Sequence, residues 1–134
     1  MRTICIQLRV GALLAWALSG SVAAAEIVVI SNSGVKLTAA DVRDVYLGEK
    51  QFADSIKLVP VDNHALQVDF LAKAVGMEAG RYNTAWTKKA FRDGVNAPAV
   101  KASDAEVIEF VKRTPGAVGY VSGIHGGVNA VSSF

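Results

Sequence analysis

The stretch before Glu26 decides how much chain is left to fold. Arg2 and Arg9 give a positive start, and an apolar run follows from Val10 to Leu18. Ser19 and Gly20 break the run, and Ala23-Ala24-Ala25 offers a small-residue cleavage site. These parts, in this order, make residues 1–25 an export signal. The run falls well short of the roughly 20 residues that a membrane span needs, so cleavage is expected rather than anchoring. Of the 134 residues, 109 then remain, residues 26–134. That is enough for one domain core, and too little for two lobes with a cleft between them.

Composition changes with the cut. Removing Arg2 and Arg9 from the 14 basic residues leaves 12, against 12 acidic ones. The mature chain is formally neutral, so a sequence pI near 8.8 carries no message about nucleic acid. No basic stripe with interleaved aromatics appears, and no nucleic-acid partner is expected. The single cysteine, Cys5, lies in the leader. The mature chain therefore folds without disulfides even in an oxidising compartment, and packing must hold it. The expected location is the bacterial periplasm or the outside of the cell, with no membrane span in the mature chain.

Patterning predicts an α/β domain of helices packed on a small mixed sheet. Glu26-Ile-Val-Val-Ile30 reads as a buried strand, Lys57 to Val61 as a second and Ala117 to Val121 as a third. Pro60 marks the second strand as an edge, or as one with an incompletely paired end. Val128 to Phe134 is a last strand or a loose tail. Helices are expected over 39–47, 64–75, 79–91 and 104–113. Thr38 and Asp41 form a capping-box variant, and Ser103 and Glu106 form the clearest box in the chain. Buried faces are expected at Val42, Val45 and Tyr46; at Val68, Leu71 and Val75; at Tyr82, Trp86 and Phe91; and at Val107, Ile108 and Val111. Gly116 and Gly119 read as glycines needed by the backbone.

Chemistry is sparse. His64 and His125 stand 61 residues apart, with no partner at ligand spacing, so no metal is expected. Ser33, Asp62 and His64 are residue types a hydrolase uses, but Ser33 lies in no nucleophile elbow. No catalytic residue and no cofactor is assigned. Two loops remain. Asn32-Ser33-Gly34 follows the first strand, and Asn63-His64 follows the second. Such strand-to-helix loops can offer hydrogen-bond donors to an anion. Asp62 opposes this, because a carboxylate beside an anion is costly.

Two segments carry a resemblance. Leu37-Thr-Ala-Ala-Asp-Val-Arg-Asp-Val-Tyr-Leu-Gly48 resembles the LT-initiated helix of bacterial phosphate-transporter substrate-binding proteins. Thr114-Pro-Gly-Ala-Val-Gly-Tyr-Val121 is similar to their TPGAIGYV segment. The resemblance spans most of residues 27–123 in unchanged order. It implies one lobe of the type II periplasmic-binding-protein kind and a non-enzymatic solute-binding role connected with ABC transport. If a small oxyanion such as phosphate is bound, the two strand-to-helix loops, and not a residue-by-residue match to the family, name its contacts as Asn32, Ser33, Gly34, Asn63 and His64. The family's anion loop carries arginine, serine, glycine and threonine; here the corresponding run is Val61-Asp62-Asn63-His64-Ala65-Leu66. The alternative is a periplasmic interaction or sensory module that has lost anion binding and contacts a membrane transporter or sensor protein.

Overall fold

The structure is a computed structural model and describes residues 26–134; the leader reading of residues 1–25 lies outside them. The expected α/β architecture is present. Five strands form one mixed sheet: β1 (Ile27–Ser31), β4 (Val59–Asn63), β5 (Ala99–Lys101), β6 (Ala117–Ser122) and β7 (Asn129–Ser133). A separate hairpin holds β2 (Phe52–Ala53) and β3 (Ile56–Lys57). The sheet order is β5-β4-β6-β1-β7. β4 runs parallel to both β5 and β6, whereas β1 runs antiparallel to β6 and β7.

The Ile27–Ser31 run is apolar throughout because both faces of β1 are covered. On one face Ile27, Val29, Val118 and Tyr120 pack against α1 (Ala39–Tyr46) and against Phe70, Leu71 and Val75. On the other, Val28, Ile30, Val61 and Val121 pack against α4 (Asp104–Arg113) through Val107 and Val111. α1 buries the expected Val42, Val45 and Tyr46. It begins with the Thr38 N–H donating to Asp41 Oδ2 at 2.9 Å. α3 (Ala79–Asp93) docks by Tyr82 and Trp86, and the Trp86 indole N–H donates to the Tyr46 carbonyl at 3.0 Å.

Two glycines are explained by their surroundings. Gly116 has φ +81°, and a Cβ there would meet the Lys57 carbonyl oxygen at 2.1 Å. Gly119 lets α4 approach the sheet; its Cβ would meet Val107 Cγ1 at 2.5 Å.

Four expectations need correction. The second strand is shifted: Val59–Asn63 forms β4, and Ile56–Lys57 belongs to the hairpin. The helix expected over 64–75 is a short α2 (Gln67–Phe70) that continues as a π-helical turn, Leu71–Val75. Val68 is accordingly 70% exposed, and Phe70 takes the buried position. Phe91 is 94% exposed, so it is no core contact. Pro60 lies in an inner strand, but β5 pairs with β4 only from Val61 onward, which is the incompletely paired end that proline permits.

Candidate functional site

Strand direction decides which loops can share a ligand. β1 is antiparallel to β6 with Ser31 opposite Val118, so the loop after β1 leaves beside the starting end of β6. The Asn32 N–H donates to the Ala117 carbonyl there, at 2.9 Å. β4 is parallel to β6 with Pro60 opposite Val118, so the loop after β4 leaves at the finishing end of β6. About three to four residues of strand rise, roughly 10–13 Å, separate the two exits. Asn32, Ser33 and Gly34 therefore form one group, and Asn63 and His64 another. One small anion cannot touch both.

Asn32 is committed to structure. Its Nδ2 donates to the carbonyls of Val111 at 2.9 Å and Lys112 at 3.3 Å. It thereby satisfies carbonyls that the end of α4 leaves free. Its Oδ1 accepts from the Gly34 N–H at 3.2 Å, which spends that donor too. Ser33 is exposed, and its carbonyl accepts from Asn129 Nδ2 at 3.1 Å.

Asn63 is also spent. It is fully buried, and Nδ2 donates to Asp104 Oδ1 at 2.7 Å and to the Tyr120 carbonyl at 3.0 Å. Its Oδ1 accepts from the Ala65 N–H at 3.1 Å, fixing the turn after β4. Asp104 further accepts from the Ser122 N–H at 3.1 Å and from the Ser122 hydroxyl. His125 Nε2 lies 3.1 Å from the Ser122 carbonyl. Burial pushes the Asp104 carboxyl up, but the bonds from Ser122 and Asn63 outweigh this and hold it below the usual carboxylate range. His64 is exposed, and its N–H donates to the Lys101 carbonyl at 2.9 Å.

The group that sequence reasoning missed is a buried acid. Asp62 is 1% exposed. Tyr82 donates its hydroxyl to Asp62 Oδ2 and Tyr120 donates to Oδ1, each at 2.9 Å. No lysine or arginine pairs with Asp62 among the described residues. Burial raises its pKa, and the two tyrosine bonds pull it back in part. Burial also pushes both tyrosine hydroxyls far up, so they stay protonated and can donate to Asp62. Phe70 stacks on Tyr120 with ring centroids 3.8 Å apart and seals the cluster. Two tyrosines in otherwise buried faces were the available signal, because a buried phenol needs a partner. Asp62 consequently points into the core and does not stand beside a loop-bound anion. Among the described residues no group of three or more histidine, cysteine, aspartate or glutamate side chains could hold a metal ion.

No family model and no curated protein matches the chain. Solved structures do. A phosphate ABC transporter substrate-binding protein from Clostridium perfringens, solved with bound phosphate, superposes with a TM-score of 0.60 at 20% identity. The match covers 80% of this chain and 45% of that one. This protein shares its fold with phosphate-transporter substrate-binding proteins. An ABC-type phosphate transport receptor from Vibrio cholerae gives 0.49 at 17% identity, covering 80% and 46%. The PstS protein of Borrelia burgdorferi gives 0.48 at 17%, covering 72% and 41%. The chain spans less than half the length of each of these solved structures. The resemblance carried by the Leu37–Gly48 and Thr114–Val121 motifs is thus met by the fold, with the first motif on α1 and the second leading into β6.

Proposed function

We propose that the protein is an exported, non-enzymatic interaction or sensory module that reuses the fold of a solute-binding lobe, works through protein contacts and does not capture phosphate by itself. A membrane transporter or sensor is the partner that this reading names. The observation that carries it is Asn63. Both donors of its side-chain amide are spent on Asp104 and Tyr120, at the strand end where an α/β sheet gathers ligands. The carboxylate of Asp104 occupies that edge, and an anion there would meet a like charge.

Solute capture is the second reading. The phosphate bound to the Clostridium protein favours it. Ser33, Gly34 and His64 are the exposed members of the two loops, and the Gly34 N–H is already spent on Asn32. In this reading each loop acts alone, and affinity stays modest without a second surface to close over the anion. Titration calorimetry with phosphate and with sulfate, at about pH 5.5 and about pH 7.5, spans the ordinary range of histidine. The expected result is no saturable heat at millimolar anion. Saturable binding that weakens on Ser33→Ala or His64→Ala would overturn the interaction reading and restore solute capture.

A further inference from the structure

At the opposite end of β4 from Asn63, the sheet leaves an opening. β5 joins β4 only at Val61, and Pro60 has no N–H with which to extend the ladder. Between the first residues of β4, the end of α1 and the Gly94–Pro98 segment lies a cleft of about 500 Å³. That size falls within the range of small-molecule sites, roughly 300–1,000 Å³. Its floor is apolar: Val45, Leu58, Val61 and Trp86 are all buried residues that line it. The Trp86 indole N–H is already spent on the Tyr46 carbonyl, so its ring offers only an apolar surface. Two lysines, Lys50 and Lys57, line the same cleft, and among the described residues no acidic one does. Lys50 is half-exposed and also makes a surface ion pair with Asp41 at 3.8 Å. Lys57 makes no ion pair among the described residues.

We propose that this cleft binds small carboxylates with an aryl or branched-alkyl body. The apolar body would lie on the Val45–Leu58–Trp86 floor, and the carboxylate would meet the ammonium groups of Lys50 and Lys57. An apolar floor with cations and no carboxylate complements such a ligand in both shape and charge. The site is independent of the anion loops and of the function proposed above.

The test is a heteronuclear NMR titration of the protein with 4-phenylbutyrate and, in parallel, with uncharged 4-phenylbutanol. The expected result is saturable shifts at the Trp86 indole, Val45, Leu58 and Val95, with the acid binding more tightly than the alcohol. Replacing both lysines, Lys50→Gln with Lys57→Gln, should weaken the acid about five-fold and leave the alcohol unchanged. Val95→Trp, on the half-buried rim, should fill the cleft and abolish both. Equal affinity for acid and alcohol, shifts outside the cleft, binding that survives Val95→Trp, or no saturable shift by about 10 mM ligand would each overturn the proposal.

Discussion

Burying a carboxylate without a cation costs free energy unless hydrogen bonds hold it, and Asp62 is held by the hydroxyls of Tyr82 and Tyr120, with no cation paired to it among the described residues. Burial places its folded pKa above the unfolded value. Its contribution to stability is therefore fully present below the unfolded pKa, near 3.9, and is lost as pH rises through the folded pKa. Asp104 has the opposite sign: its folded pKa is lowered, so its contribution is lost as pH falls. Asp62→Asn is expected to abolish the decline with rising pH and to leave the acid-side decline in place. Urea midpoints over about pH 3 to 7 for both proteins check this, and an unchanged profile would count against a charged Asp62 in the core. Tyr82→Phe removes one of the two donors and is expected to cost about 1–3 kcal/mol near neutral pH, read by the same denaturation.

Among the elements, α4 shows how local signals and close packing combine. Its cap is real but differs in detail from a reciprocal box. Ser103 Oγ accepts from the Glu106 N–H at 3.4 Å, whereas Glu106 Oε2 reaches the N–H of Ala102 at 2.9 Å. Ser103→Ala should cost about 1 kcal/mol in urea unfolding. Gly119→Ala should cost about 1–3 kcal/mol by the same measurement, because the new methyl drives Val107 off the sheet. α1 and α4 were legible because their caps and apolar spacing are local in sequence. The Gln67–Val75 segment was not. Its helix starts only at Gln67, with Val68 in the first turn, and its Gly76 N–H bonds the Leu71 carbonyl, an i→i+5 link that breaks the regular helical spacing; Phe70, Leu71 and Val75 are buried and Val68 is exposed. The β2–β3 hairpin and β5 have two or three residues per strand, too few to leave a period.

Across the whole molecule, export is the expectation that composition supports most directly. Intact mass of protein from a periplasmic extract is expected to show a chain that starts between Ala24 and Glu26. A full-length chain in the membrane fraction would overturn it. Among the described residues no helix is long and apolar enough to cross a membrane. The sequence by itself determined the α/β class, strands near 26–30 and 117–121, and the buried faces of α1 and α4. Each of those depends on residues close in sequence. Only the tertiary structure decided that the Asn32 and Asn63 loops leave the sheet at opposite ends, because strand direction follows from pairing register between segments far apart in the chain. It also decided that Asp62 faces inward. A strand's alternation says which residues share a face, whereas the phenols that make burial of a carboxylate tolerable come from Tyr82 and Tyr120, 20 and 58 residues away.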